Sequence, residues 1–269
     1  MTSEHKAVAT PGDRGEPAIE EAFERLVEEG ENRLRRPLLS LVSTGFLGGV
    51  DVGFGVLAYL VIEHQTGSRL LAALGFTIGF IALLLASSEL FTENFLVPVA
   101  ATLAKAGTIS DLLRLWAVSL VMNLVGGFAM AAMIMAALPD LDATAAKAGS
   151  YYAHLGVNPR SFFLAVLAGA VLTLMTRMQH ATNELGVQIV AAVVMPFVLV
   201  GSQLFHSVLD SLLMFAGLFS GQADYGYGDY AVALAWSTFG NLVGGLVLVT
   251  GTRVLRVPHR VAEEREKRS

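Results

Sequence analysis

Six apolar segments separated by short polar connectors account for most of the chain. They run approximately over 37–62, 70–106, 112–138, 161–178, 187–219 and 230–254. About 20 residues of α-helix cross the hydrocarbon core of a bilayer, and every segment is close to or above that length. The pattern therefore predicts an all-α polytopic membrane protein with six transmembrane helices.

The second and fifth segments are too long for one straight span, and polar residues interrupt both. The interruptions are Glu89, Thr92, Glu93 and Asn94 in the second segment, and Ser202, Gln203, His206 and Asp210 in the fifth. Non-helical backbone at membrane depth is tolerated only where it is buried in protein or lines a water-filled cavity. Both helices are therefore predicted to be broken beside a conduit.

Two short motifs repeat in the same order in the two halves of the chain. S-E-L-F-T at 88–92 is echoed by S-Q-L-F-H at 202–206, and N-L-V-G-G occurs at both 123–127 and 241–245. Three spans per half is an odd number, so homologous halves would have opposite orientations in the membrane. The motifs predict a 3+3 inverted repeat whose broken helices meet near the middle, with Thr92 as the mate of His206.

The two ends of the chain are polar and are predicted to lie outside the membrane. The predicted units are a disordered tail at 1–17, a cytoplasmic amphipathic helix at 18–36, a six-span transport domain at 37–256 and a cytoplasmic basic tail at 257–269. Apolar residues near helical spacing, surrounded by glutamates, favour a helix that lies on the floor of the membrane domain. A partner-binding or gating role for this helix stays open.

Composition supports the class of membrane proteins and excludes several kinds of functional site. Of the 269 residues 54% are apolar and only 15% are charged, whereas soluble domains carry about 25% charged residues. The absence of cysteine excludes disulfides and thiolate metal sites. No metal-ligand spacing, nucleophile motif or phosphate-binding loop predicts a cofactor or an enzyme. The net charge of −5 predicts no nucleic-acid surface.

Lysine and arginine residues are concentrated on one side of the predicted membrane domain. If the N-terminus is inside, the outer loops contain only Arg69, Lys147 and Arg160, and the other basic residues lie on the inner side. Cytoplasmic connections carry the excess of Lys and Arg, so both termini are predicted to be cytoplasmic.

Three motifs resemble those of the formate/nitrite transporter family. They are E-L-F-T at 89–92, L-F-H-S at 204–207 and G-N-L-V-G-G at 240–245, and the resemblance extends over about residues 20–256. It implies an aquaporin-like protomer of six spans in the lipid bilayer of the inner membrane, assembled as a homopentamer with one pore per protomer. It also implies passage of small monovalent anions such as formate, nitrite or hydrosulfide, or of their conjugate acids, channel-like or coupled to protons.

His206, Thr92 and Asn241 are the candidate pore residues. A histidine inside a membrane span is costly and by default functional, and its charge can change around physiological pH. By resemblance His206 is the central pore histidine, Thr92 faces it, and Asn241 is a third polar position. The structural alternatives are a histidine that only links helices and a threonine that only caps a helix break.

The resemblance also assigns apolar residues to two constrictions of the pore. Apolar constrictions block hydrated ions by dewetting. Those assigned to the periplasmic constriction are Phe76, Phe91 and Leu199, and those assigned to the central constriction beside His206 are Phe80 and Leu90.

Charged residues within the apolar segments leave the charge of the substrate open. They are Asp51, Glu89, Glu93, Arg177 and Asp210. In one interpretation Asp51 or Glu93 is hydrogen-bonded to an asparagine or pairs with Arg177, the only basic candidate nearby apart from a protonated His206. In the other, acids line the pore, repel anions and favour a neutral or cationic solute, a protonated acid or proton coupling. A non-conducting scaffold or sensor that holds a partner through residues 18–35 is a further alternative.

Overall fold

The computed structural model describes residues 16–255 and 258–267, and within these ranges the protein is helical and contains no β-strand. The α-helices are α1 (Glu16–Leu34), α2 (Leu38–Thr66), α3 (Arg69–Ala86), α4 (Val97–Leu103), α5 (Ile109–Ala137), α6 (Asp142–Ala153), α7 (Pro159–Gln179), α8 (Leu185–Gly201), α9 (Ser207–Phe219), α10 (Tyr227–Val243), α11 (Thr252–Val254) and α12 (Pro258–Lys267). Phe91–Phe95 and Pro139–Leu141 are 3₁₀-helices, and Gly244–Gly251 is a π-helix. The predicted tail at 1–17 lies outside the described residues except for its last two, which begin α1.

The apolar segments form the membrane domain. Five described helical stretches are long and apolar enough to cross a bilayer, namely α2, α3, α5, α7 and the stretch Tyr227–Gly251. The predicted fifth segment consists of two shorter apolar helices, α8 and α9. The chain is therefore a multi-pass membrane protein.

The helix α1 packs against the short helix α4 through one apolar face. Phe23 and Val27 are buried with Ala100 and Ala101, whereas Glu24 and Glu28 on the other face are exposed. A Cβ atom at Gly30 would collide with the carbonyl oxygen of Val97 and with Ala101, so the glycine permits this close contact. Burial of its apolar stripe fixes α1 on the membrane domain.

The helix α6 lies where the sequence pattern predicts an outer connector between the third and fourth spans. It packs against α9, and Tyr152 near its end is only 4% exposed. The loop after α9 returns to this region, where the Tyr225 hydroxyl donates a hydrogen bond to the Met214 carbonyl oxygen at 2.6 Å. This connector is therefore part of the packed structure.

The pairs α2–α5 and α7–α10 approach each other closely at corresponding glycines. A Cβ atom at Gly49 would collide with the carbonyl oxygen of Asn123, and one at Gly169 would collide with that of Asn241. Small residues let helix backbones come together in this way in membrane proteins. These contacts place each asparagine of the N-L-V-G-G motifs beside a helical break.

The two breaks have the same backbone hydrogen bonds. Beyond α3 the Ser88 N–H donates to the Leu83 carbonyl, and beyond α8 the Leu204 N–H donates to the Leu199 carbonyl. Ser87 and Gln203, which precede these donors, both have left-handed backbone, with φ of 53° and 51°.

This pattern pairs Leu90 with His206, so the sequence-based pairing of Thr92 with His206 is wrong by two residues. The motif match aligns the two breaks by the dipeptide Leu-Phe, which is frequent in apolar segments. The backbone hydrogen bonds instead align them by the residues that end α3 and α8. The residues that correspond in the two breaks are thus Glu89 and Phe205, then Leu90 and His206.

The last span touches the first break. Within the π-helix, the Thr250 hydroxyl donates to the Phe95 carbonyl oxygen at 2.6 Å, and Gly245 lies against the Phe95 ring. A π-helix carries one extra residue per turn and often occurs at functional sites. The end of the membrane domain is thereby joined to the loop that carries Thr92.

Candidate functional site

Thr92 and His206 meet in the middle of the protein. The Thr92 Oγ1 and His206 Nε2 atoms are 3.0 Å apart, and both side chains are fully buried. Thr92 lies in the 3₁₀-helix of the first break, and His206 is the N-cap of α9 after the second. One hydrogen bond therefore joins the two interrupted segments.

The orientation of the His206 ring follows from the start of α9. Its Nδ1 accepts a hydrogen bond from the Leu209 N–H at 3.1 Å, so Nδ1 carries no proton. In a neutral imidazole the other nitrogen must then carry the hydrogen. Nε2–H accordingly donates to the Thr92 hydroxyl, whose own proton is free to point to another acceptor.

Asp210 completes the cap of α9. Its Oδ2 accepts the His206 backbone N–H at 2.6 Å, and its side chain is 2% exposed. The Oδ1 atom has no hydrogen-bond partner within the described part of the chain. The Tyr152 hydroxyl from α6 faces this carboxyl group.

Asn241 holds the second break with three hydrogen bonds. Its Oδ1 accepts the Ser207 N–H at 2.9 Å, and its Nδ2 donates to the carbonyl oxygens of Ala165 and Phe205, both at 2.9 Å. The side chain is fully buried. The pore-lining role expected for Asn241 stays a prediction, while the observed contacts are those of a clamp on the backbone.

Asn123 makes the matching set of hydrogen bonds at the first break. Its Oδ1 accepts the Phe91 N–H at 2.8 Å, and its Nδ2 donates to the carbonyl oxygens of Gly45 and Glu89 at 2.7 and 2.8 Å. Buried backbone groups outside regular helices need such partners. The two asparagines therefore stabilise the loops that carry Thr92 and His206.

The five apolar candidates are buried near these loops. Phe76, Phe80, Leu90, Phe91 and Leu199 are each at most 2% exposed and belong to one apolar cluster. The rings of Phe76 and Phe80 are 6.0 Å apart, and Phe91 packs edge-on against Phe95 at 5.0 Å. Their burial is compatible with constrictions, and their assignment to them stays a prediction.

Glu89 is neutralised by an arginine that follows α1. Its Oε2 forms an ion pair with Arg36 and is 3.4 Å from the Thr44 hydroxyl, and its Oε1 accepts the Asn94 amide N–H at 2.9 Å. Arg33 donates to the Asn94 Oδ1 at 3.3 Å and lies within electrostatic reach of Glu93.

The expectation that Arg177 is the only basic partner for the intramembrane acids is therefore wrong. Arg33 and Arg36 take that place because the docking of α1 brings their long side chains to the first break. No ion pair of Arg177 occurs among the described residues, and Asp51 Oδ2 has no hydrogen-bond partner there.

Two cavities approach the breaks from opposite ends of the molecule. The α1-side cavity has a volume of about 530 Å³, and residues that line it include Arg33, Arg36, Ser87, Ser88, Glu89, Glu93 and His180. The α6-side cavity has a volume of about 570 Å³, and residues that line it include Tyr59, Glu63, Arg69, Lys147, Tyr152 and Gln203. The contact between Thr92 and His206 lies in the buried region between the two breaks.

His180 follows α7 at the α1-side cavity. Burial lowers the pKa of its imidazole, and the positive charge of Arg33 lowers it further. Its Nδ1 lies 2.9 Å from the Thr176 carbonyl oxygen, an acceptor, so Nδ1 carries the hydrogen. His180 is thus a neutral side chain at neutral pH.

Apolar spans, two clamped helical breaks and cavities at both ends define a polytopic membrane transport protein. The sequence model described as "Formate/nitrite transporter" matches residues 20–255, and the chain belongs to this family. The inner membrane protein YfdC of Escherichia coli (strain K12) is 27% identical over 235 residues, which cover 82% of this chain and 73% of that protein.

Two solved structures share the fold. One, described as an FNT family ion channel, matches with a TM-score of 0.79 at 18% identity and covers 90% of this chain and 100% of that chain. The other, described as a pentameric formate channel with formate bound, matches with a TM-score of 0.69 at 22% identity and covers 81% of this chain and 97% of that chain.

The sequence did not predict three residues of the site, namely Arg33, Arg36 and Tyr152. Arg33 and Arg36 were assigned to topology, because basic residues beside a span usually report orientation. Tyr152 lies in a stretch rich in alanine that has neither the length nor the apolarity of a span. The paired aromatic residues Tyr151 and Tyr152 within that stretch were the available signal.

Proposed function

We propose that the protein is a channel or transporter for small monovalent anions of the formate and nitrite type, or for their conjugate acids. The observation that carries this function is the buried hydrogen bond of 3.0 Å between Thr92 and His206. It joins two helical breaks that cavities approach from opposite ends. The choice of small monovalent anions as the substrate class is supported by the similarity to the formate channel of the same fold.

His206 is the central group of the proposed pore. The Nε2–H of a neutral imidazole can donate to a passing carboxylate or nitrite oxygen in place of Thr92. A hydrogen bond from a buried donor stabilises an anion that has left its hydration shell. The Thr92 hydroxyl supplies a second donor to the same anion, and Asn241 holds the backbone on which His206 sits.

The constrictions are proposed on either side of this centre. Phe76, Phe91 and Leu199 narrow the periplasmic side, and Phe80 and Leu90 narrow the path beside His206. Their apolar surfaces exclude hydrated ions and admit a small solute that His206 and Thr92 can bind. Their burial in one cluster supports this arrangement.

The ion pair of Glu89 supports an anionic substrate over a cationic one. A lone carboxylate in the first break would repel anions. Arg36 compensates Glu89, and Arg33 approaches Glu93. The α1-side cavity therefore presents arginine and glutamate side chains together.

The proposed assembly is a homopentamer in the inner membrane, with both termini in the cytoplasm. The pentameric formate channel and the inner membrane protein YfdC support the oligomer and the membrane. The α1-side cavity would then open to the cytoplasm and the α6-side cavity to the periplasm. The matched hydrogen bonds of Asn123 and Asn241 support an inverted repeat of three plus three spans.

Flux into proteoliposomes tests this function. We expect formate and nitrite to enter, methylammonium to remain outside, and His206→Ala to reduce formate flux by about tenfold or more, since a donor to a buried charge is worth about 1.5–3 kcal/mol. Thr102→Val is the matched control, because the only hydrogen bond of its hydroxyl within the described residues is to the Pro98 carbonyl oxygen in α4. Methylammonium flux without anion flux would reject the proposal in favour of a cation pore.

A further inference from the structure

Asp210 is a buried acid that the proposed pore does not use. It lies one helical turn beyond His206 on α9, and one of its two carboxyl oxygens has no partner among the described residues. The other oxygen is held by the His206 backbone N–H at 2.6 Å. This contact fixes the carboxyl group, which the Tyr152 hydroxyl of α6 faces.

Among the residues that the structure describes, the groups that face Asp210 carry no positive charge. Tyr152 comes from α6 and Tyr59 from α2, and both phenols are within electrostatic reach of the carboxyl group. Tyr230 of α10 lies beside Ser211, the next residue of α9. The only acid and base of α5, Asp111 and Arg114, lie at its opposite end.

The α6-side cavity reaches Asp210 through these phenols. Tyr59 and Tyr152 both line the cavity, and they are 7% and 4% exposed. The charged residues Glu63, Arg69 and Lys147 line the same cavity, where Lys147 approaches Glu63 at 4.0 Å and Arg69 donates to Gln203 at 2.6 Å. A phenol hydroxyl both donates and accepts hydrogen bonds, so it can pass a proton between water and a carboxyl group.

We propose that Asp210 is a proton-binding site of the pore, loaded from the α6-side cavity through Tyr152. A buried carboxyl group without a cationic partner is stabilised when it carries a proton, and acids inside spans commonly serve as proton relays. The site would couple substrate movement to the proton gradient.

The proton transfer involves only groups already named. An anion such as formate, bound at His206 and Thr92, takes the proton of Asp210. The carboxyl O–H bond of Asp210 breaks, its electron pair stays on Asp210, and a new O–H bond forms on formate. Formic acid leaves without a net charge, and a proton from the cavity restores the O–H bond of Asp210.

Asp210→Asn removes the proton-binding carboxyl group and keeps the cap of α9, because the amide oxygen can still accept the His206 N–H. In proteoliposomes with a pH-sensitive dye inside, we expect wild type to carry protons with formate. Asp210→Asn should lose this coupling by about fivefold or more, because an amide has no acidic proton to give to formate. Tyr152→Phe keeps the acid and its cap and should slow proton entry. Asp224→Asn, an exposed acid in the loop after α9, should behave as wild type.

Infrared difference spectroscopy of the detergent-solubilised protein tests the same site without transport. Alkaline pH should remove the carbonyl bands of protonated carboxyl groups in wild type and Asp224→Asn, and one of these bands should be missing in Asp210→Asn. If wild type moves no formate, the proposed function fails while this band still decides the proton site. An unchanged band in Asp210→Asn, or undiminished proton coupling in both Asp210→Asn and Tyr152→Phe, would overturn the inference.

Discussion

Arg36 is ion-paired with Glu89 inside the first helical break. Arg36 lies in the short connection between α1 and α2, whereas Glu89 precedes the loop that carries Thr92. The Glu89 side chain is 2% exposed and that of Arg36 is 24% exposed. The position of α1 and the conformation of the pore loop are therefore linked by one pair of charges.

Removal of Arg36 should destabilise the protein strongly. Arg36→Gln removes the ion pair and leaves the buried Glu89 carboxylate with only neutral hydrogen-bond partners, Thr44 and Asn94, which costs about 2–3 kcal/mol. Thermal unfolding in detergent, followed by tryptophan fluorescence, measures the loss. Arg35→Gln is the matched control, because the pair of Arg35 with Glu31 lies at the surface and contributes about 0–1 kcal/mol.

The double variant Arg36→Gln/Glu89→Gln tests the cause of that loss. It removes both charges together, so its destabilisation should be smaller than that of Arg36→Gln alone. An equal or larger destabilisation would mean that Arg36 acts through packing rather than through the charge of Glu89.

Asn123 and Asn241 should contribute similar stability. Replacement of either by leucine removes three hydrogen bonds to buried backbone groups, at about 0.5–1.5 kcal/mol for each bond. We expect both variants to show a large drop in folded yield and in unfolding temperature after purification in mild detergent. A mild effect at one position and a severe effect at the other would contradict the equivalence of the two clamps.

Gly49 and Gly169 should not tolerate alanine. In both cases the added methyl group meets a carbonyl oxygen of the neighbouring helix, and the helices must move apart at a cost of about 1–3 kcal/mol. Gly186→Ala in α8 is the control, because its Cβ would meet nothing within 4 Å. Unfolding temperatures that rank Gly49→Ala and Gly169→Ala with Gly186→Ala would show that the helices are not held by this contact.

His180 should make the protein less stable in acid. Its lowered pKa means that the unfolded chain binds this proton more tightly than the folded protein. Its contribution therefore favours folding above the ordinary histidine pKa of about 6.5 and is lost as the pH falls below that value. His180→Gln should lose less stability than wild type between neutral and mildly acidic pH.

The same substitution is informative for transport. His180 is neutral at neutral pH, so His180→Gln should leave the formate flux at neutral and alkaline pH unchanged. Flux assays at a series of external pH values measure this, and a large change at alkaline pH would assign His180 a role in the pore that its neutral form does not explain.

Hydropathy predicts the membrane-spanning segments well because burial in lipid requires apolar side chains throughout a span. The polar interruptions of the second and fifth segments lie just beyond the ends of α3 at Ala86 and α8 at Gly201. Sequence could not give the register of the two breaks. The residues that match in sequence are Leu and Phe, whereas the residues that match in structure share backbone hydrogen bonds.

The partners of the intramembrane acids could not be predicted from the sequence either. Arg33 and Arg36 reach Glu93 and Glu89 only because Phe23 and Val27 dock α1 against α4. Tyr152 reaches Asp210 only because α6 packs on α9. Such contacts between segments distant in the chain depend on the tertiary arrangement, which neither hydropathy nor local motifs encode.

The hydrogen bond from Thr250 to Phe95 has a consequence for biosynthesis. Phe95 is made early and Thr250 is among the last residues of the membrane domain, and chains are synthesised from the N-terminus. The Phe95 carbonyl oxygen in the first break can form this hydrogen bond only after Thr250 has been synthesised. In the same way, Thr92 can form its hydrogen bond only after His206 has been synthesised. A ribosome-bound chain that lacks this last helix therefore has a first break whose Phe95 carbonyl oxygen is without this hydrogen bond.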